Sequence, residues 1–220
     1  MPHTLLDSSF VYWCDLFGIV VFAIAGALQA GQKRMDIFGV VVVALATAIG
    51  GGTLRDCILG RTPVFWVQKP EYPITAVIAA IVIFALVRYV RVPRRVLLVC
   101  DAFGLSVVTL IGCSKALQVS PSIFIAVMMG VITGVVGGVI RDVLCKEIPL
   151  VFSSEFYATA SIIGGLAFVL TVRMSLNPDI AILFGMLLTF AVRIVGIFTK
   201  VGLPLYKTRE EMKSIDIDDG

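Results

Sequence analysis

The sequence predicts an all-α integral membrane protein, with seven transmembrane helices as two inverted three-helix repeats plus a seventh helix. Three observations lead there. Of the 220 residues, 59% are hydrophobic and 15% charged, and the mean hydropathy is +1.01, outside the composition of soluble domains. The apolar residues fall into runs mostly of about 17–25, the length that crosses a hydrocarbon core of roughly 30 Å at about 1.5 Å per residue. Finally, the chain repeats itself at a separation of 86 residues.

The expected spans are 11–30, 37–59, 73–90, 96–117, 122–145, 156–172 and 180–203. The first counts as a membrane helix: "MPHTLLDSSF" carries no Lys or Arg before it and no clear small-residue cleavage site follows, so it does not read as a removable leader. Basic residues then alternate between the two sides. Lys33 and Arg34, Arg88, Arg91, Arg94 and Arg95, Lys146, and Lys200, Lys207, Arg209 and Lys213 fall on one side, and chiefly Arg61, Lys69 and Arg173 on the other. The positive-inside rule puts the N-terminus outside and the C-terminus in the cytoplasm. The resulting units are 1–95, 96–173, 174–205 and a polar, mixed-charge tail 206–220.

"CDLFG" at 14–18 returns as "CDAFG" at 100–104, and "GGTLRD" at 51–56 as "GGVIRD" at 137–142. No gap is needed between them, and 17 of the 53 positions from 14 to 66 are identical. Fixed-period self-similarity of this kind marks a duplication. Each unit holds three spans, and an odd number makes the second enter the membrane the other way up, giving a pseudo-two-fold axis in the membrane plane.

The second and fifth spans carry small residues four apart, at Ala44, Ala48 and Gly52 and at Gly130, Gly134 and Gly138. One reading is a ridge that lets two helices approach closely. The other adds that Gly50, Gly51 and Gly52, with Gly137 and Gly138, open the helices locally, freeing carbonyls toward a polar cavity. Arg55, Asp56, Arg141 and Asp142 need protein or water around them at this depth. Adjacent residues on a helix point about 100° apart, so each Arg and Asp need not bond each other and could reach partners across the repeat interface, or form a structural salt bridge.

Lys115 breaks the repeat symmetry, because its mate is Gln29. It reads either as a gate or voltage-responsive charge facing a cavity, or as a side chain that snorkels to the interface. Arg193 in the seventh span is unusual at that depth. The loops "GRTPVFW" and "KEIPLVF" read as packing, and the five cysteines as small core residues. His3 is the only histidine, and no Walker A, GxGxxG or HExxH motif occurs, so neither an enzyme nor a resident cofactor is expected. A net charge of +3 belongs to the loops and gives no hint of nucleic acid.

Two three-helix inverted repeats plus a seventh helix, glycine-interrupted second and fifth helices and the doubled GG-x-x-RD motif resemble the prokaryotic branch of the TRIC (trimeric intracellular cation) channels, over roughly 11–203. The resemblance implies a homotrimer embedded in the lipids of the inner membrane, each protomer passing monovalent cations, mainly potassium, through its own pore. It assigns Gly50, Gly51, Gly52, Gly137 and Gly138 to pore-lining breaks, with Arg55, Asp56, Arg141 and Asp142 beside them. Thr47 and Thr133, repeat mates one turn before the glycines, complete the expected ion pathway, and Lys115 matches a lysine of functional weight on the fourth helix of eukaryotic relatives. Domains of this family are also labelled glycine transporters, so the rival expectation is a secondary transporter of glycine or another small zwitterion.

Overall fold

The computed structural model describes residues 9–87, 89, 92–153, 156–175 and 177–199. The polar tail 206–220, His3, Arg88, Arg91, the end of the seventh span and the basic residues from Lys200 onward lie outside the described residues.

The described residues form α1 (Ser9–Gln32), α2 (Ile37–Ile58), α3 (Phe65–Gln68), α4 (Glu71–Val87), α5 (Arg94–Leu117), α6 (Ile123–Leu144), α7 (Leu150–Ser153), α8 (Tyr157–Arg173) and α9 (Pro178–Thr199). The duplication is visible in the lengths: 24, 22, 4 and 17 residues for α1 to α4, and the same four numbers for α5 to α8. Five helices, α1, α2, α5, α6 and α9, are long and apolar enough to cross a membrane, whereas α4 and α8 are shorter apolar helices. The expected spans 73–90 and 156–172 correspond to these two.

Start and stop signals recur with the repeat. Asp36 caps α2 by accepting the Gly39 N–H at 2.8 Å, and its mate Ser122 caps α6 by accepting the Ile125 N–H at 3.4 Å. Both helices end in a left-handed residue, Gly60 (φ 66°) and Lys146 (φ 54°), again 86 positions apart. That turn lets the Arg61 and Glu147 N–H groups reach back to the carbonyls of Asp56 and Asp142.

The expected opening of the helices at Gly50–Gly52 and Gly137–Gly138 does not occur: α2 and α6 run through them without interruption. The close-approach reading holds for Ala44, Gly130 and Gly134, whereas Gly52 meets the Phe65 ring and Gly138 the Tyr157 hydroxyl, and the tightest contact falls on Gly51 and Gly137, outside the expected ridge. A β-carbon on Gly51 would collide with the Thr133 carbonyl, and one on Gly137 with the Thr47 carbonyl, so α2 and α6 touch backbone to backbone where the repeats meet. The Ala44 and Gly130–Gly134 faces serve contacts within each repeat, with Ala44 against Gly26 of α1, and Gly130 and Gly134 against Thr109 of α5. Helices α4 and α8 pack on the outside of α1–α2 and α5–α6, and α9 packs chiefly on α5 and α8. The helix outside the duplication therefore sits mainly on the second repeat, with Ile182 and Met186 also sharing an apolar pocket with Val11 and Cys14 of α1. Of the cysteines, Cys113 and Cys145 are buried as expected, while Cys57 is exposed and is not a core residue.

Candidate functional site: two copies of one charged motif

Both motifs build the same local unit. Arg55 Nε donates to Asp56 Oδ1 at 2.8 Å, and Arg141 Nε donates to Asp142 Oδ1 at 2.8 Å, so each Arg and Asp do bond each other. The second carboxylate oxygen then caps the short helix that follows: Phe65 N–H donates to Asp56 Oδ2 and Leu150 N–H to Asp142 Oδ2, both at 2.9 Å. The loops read as mere packing are thus tied to the charged motif. All four charged side chains are buried, and burial without these bonds would cost several kcal/mol per ion.

A second unit also recurs. Tyr72 OH donates to Asp15 at 3.0 Å, and Tyr157 OH donates to Asp101 at 3.2 Å. The two tyrosines were not identified from sequence because Tyr157 stands 85, not 86, positions after Tyr72. Their near-equal separations from Asp15 and Asp101 were the available signal.

The copies differ in what surrounds them. In the second repeat Arg141 Nη1 donates to Asp101 at 2.6 Å, and Arg193 of α9 lies 3.9 Å from the other Asp101 oxygen with its guanidinium 4.5 Å from the Tyr157 ring centre. Gln29 of α1 donates to Asp142 at 3.3 Å, and near it Lys33 and Glu147 form an ion pair at 2.5 Å. Asp101, Arg141 and Arg193 are inaccessible to solvent. This end of the molecule is sealed by one connected polar network.

In the first repeat Asp15 and Asp56 border a polar cavity of about 370 Å³, with Arg61, Lys69, Tyr72 and Lys115 also in its wall. Lys115 Nζ lies 5.2 Å from the Phe65 ring centre, over which the Arg55 guanidinium also sits at 5.4 Å. Arg61 donates to Gln118 at 2.9 Å, the counterpart of the Lys33–Glu147 closure at the opposite repeat. Of the residues expected in an ion pathway, Asp56 lines this cavity, as does Lys115, the expected gating charge, while Gly51, Gly137, Thr47 and Thr133 meet at the α2–α6 crossing instead. The Thr47 and Thr133 hydroxyls donate to the carbonyls four residues earlier, Val43 and Met129, each at 2.6 Å. Gly50 faces Ile140, Gly52 faces the Phe65 ring, and Gly138 faces the Tyr157 hydroxyl.

Comparison with known proteins agrees with this geometry. The family model described as "Glycine transporter" matches residues 12–88 and 98–173, once for each repeat. A UPF0126 membrane protein of Vibrio cholerae is 47% identical over 93% of this chain and 86% of its own length. The UPF0126 inner membrane protein YadS of Escherichia coli strain K12 is 45% identical over 91% of this chain and 98% of its own. Among solved structures, a TRIC trimeric intracellular cation channel orthologue from Rhodobacter sphaeroides superposes with a TM-score of 0.85, at 37% identity, over 88% of this chain and all of that one. With the family model matched in both halves and a TRIC channel overlaying nearly the whole fold, this chain belongs to the prokaryotic branch of the TRIC channel family, which carries the glycine-transporter domain description.

Proposed function

We propose that the chain is a passive channel for monovalent cations, potassium foremost, with a pore inside each protomer of a homotrimer. In this reading α4 and α8 complete seven crossings, the units 1–95 and 96–173 are inverted repeats, 174–205 is a seventh helix, and the N-terminus lies outside with 206–220 in the cytoplasm. The observation that carries the reading is the contrast between two copies of one motif: Asp56 borders a polar cavity, and Asp142 lies under a sealed network. A path open at one end and closed at the other is what a gated pore requires at rest.

Conduction then needs the sealed end to part and α2 and α6 to separate at the Gly51 and Gly137 crossing, exposing the Thr47 and Thr133 carbonyls. Carbonyl oxygens suit a weakly hydrated cation such as potassium. Gly50, Gly52 and Gly138 flank this path, Arg55 and Arg141 are neutralised by Asp56 and Asp142, and Lys115 is the gating charge. The trimeric cation channel from Rhodobacter sphaeroides supports the reading through its likeness in fold.

A secondary transporter of glycine is the second reading, favoured by the family description and by the mixture of carboxylates and cations around the cavity. Planar-bilayer recording under a potassium chloride gradient, with an Arg55→Ala/Arg141→Ala double variant beside the wild type, separates the two. Discrete cation-selective currents altered by the substitutions support the channel. Electrical silence together with saturable glycine uptake into proteoliposomes supports the transporter.

A further inference from the structure

The cavity beside Asp56 has the wrong charge for a simple cation vestibule. Three cationic side chains, Arg61, Lys69 and Lys115, line it against two carboxylates, Asp15 and Asp56, a net of +1. Asp56 is already engaged by Arg55 and by the Phe65 N–H, and Asp15 accepts from Tyr72. Of the cations, Arg61 donates to Gln118 at 2.9 Å, while Lys115 and the neighbouring Arg55 are less satisfied. Among the described residues Lys115 makes no hydrogen bond or salt bridge and rests on the Phe65 ring, whereas its repeat mate Gln29 is bonded to Asp142. Arg55, whose side chain is 3% exposed and lies over the same ring, keeps an Nη2 without a hydrogen-bond partner. Lys69 Nζ stands 5.0 Å from the Tyr12 ring centre.

Buried cationic donors without acceptors are costly, and an anion entering the cavity would meet charge-assisted donors from several sides. We infer that the cavity binds a small carboxylate anion, held by Lys115 and Arg61. Its charge of −1 brings the lining to neutrality and removes the repulsion that a cation approaching Asp56 would otherwise meet. This goes beyond the cation-channel reading, because it assigns the same vestibule a ligand of opposite sign. A carboxylate is favoured over a doubly charged anion because Asp15 and Asp56 face the same space and would repel the second charge.

Saturation-transfer NMR on the purified, detergent-solubilised full chain tests the site, with acetate, glycine and methylammonium as probes. Acetate and glycine should both receive saturation and methylammonium should not. The Lys115→Gln variant, which places in α5 the residue that α1 carries at the equivalent position, should weaken acetate binding by about tenfold or more. Arg61→Gln, a change at the loop surface, serves as the second variant and should weaken it as well. Tighter binding of glycine than of acetate would add Asp15 as the partner of an ammonium group. Equal binding would assign recognition to the carboxylate alone, and either result supports the site. Saturation of methylammonium but not acetate overturns the inference, as does acetate binding that neither substitution changes. The readout needs no current, so it stands or falls apart from the channel reading.

Discussion

The Gln29 side-chain amide donates to Asp142 Oδ1 at 3.3 Å, so a helix of the first repeat closes the charged motif of the second. The reciprocal position is occupied by Lys115, which rests on Phe65 and leaves Asp56 facing the cavity. The difference between a sealed and an open end thus begins with one substitution between two duplicated positions. Gln29→Ala removes the bond at the sealed end, at a cost of about 1 kcal/mol. In bilayers this variant should open more often than the wild type, and unchanged open probability would exclude Gln29 from the closure.

Arg141 and Arg55 are repeat mates with unequal partners. Arg141 bonds both Asp142 and Asp101, whereas Arg55 has Asp56 and the face of Phe65. Removing one member of a buried ion pair costs about 3–5 kcal/mol because the other charge is stranded. Arg141→Ala, which leaves Asp142 without its ion-pair partner and Asp101 with only Arg193 and Tyr157, should fall at the upper end or prevent folding, and Arg55→Ala, which removes a single ion pair at the wall of the cavity, should cost less. Thermal unfolding in detergent ranks the two, and a lower midpoint for Arg55→Ala contradicts the assignment of the sealed end.

Gly51→Ala and Gly137→Ala each drive a methyl group into a carbonyl of the opposing helix, which has no rotamer to escape by. Overpacking of this kind costs about 1–3 kcal/mol. At Gly50 the nearest atom is the Cδ1 end of Ile140, which can turn aside, so Gly50→Ala should be close to neutral. A melting series over the three variants checks the order, and equal effects would show that the α2–α6 crossing is loose.

The Lys33–Glu147 pair lies outside the membrane-spanning segments, near the sealed end. The hydrogen bond from Lys33 holds the Glu147 carboxyl below its ordinary range, followed by the charge of Lys33 itself. A carboxyl with a depressed folded-state pKa contributes stability that is present above its unfolded value of about 4.3 and lost as pH falls through the lowered folded value. Acidification from pH 7 to about 5 should therefore leave this closure intact. Glu147→Gln should reproduce at pH 7 whatever change in open probability strong acid brings. The effect should shrink in high salt because the pair is exposed, and a salt-independent effect would point to another group.

The elements and their order were legible because each depends on local chemistry. The apolar runs read as membrane helices without reference to any partner, whereas the caps at Asp36 and Ser122 and the left-handed stop at Gly60 emerged only in the structure. The duplication was legible too, since it is a property of the string. The role of the glycines was half legible. A host-peptide propensity argues that Gly50–Gly52 should open a helix, but in lipid every backbone group freed must find a partner. The α2 and α6 ladders therefore stay closed, and the glycines serve contact. Tyr72 and Tyr157 escaped notice because a one-residue shift removed them from register, and Phe65 because a single aromatic in a loop looks like any interfacial anchor.

By itself, then, the sequence determined an all-helical membrane protein built by duplication, and it marked both Arg-Asp pairs, Lys115 and Arg193 as charges that need a setting. Only the tertiary structure decided which setting each receives. Helix α9 packs mainly on the second repeat and brings Arg193 to Asp101, whereas Asp15 has no ion pair of this kind among the described residues. Near-identical motifs thus end in a sealed network and an open cavity, because burial and charge pairing depend on neighbours that lie dozens of residues away in the chain.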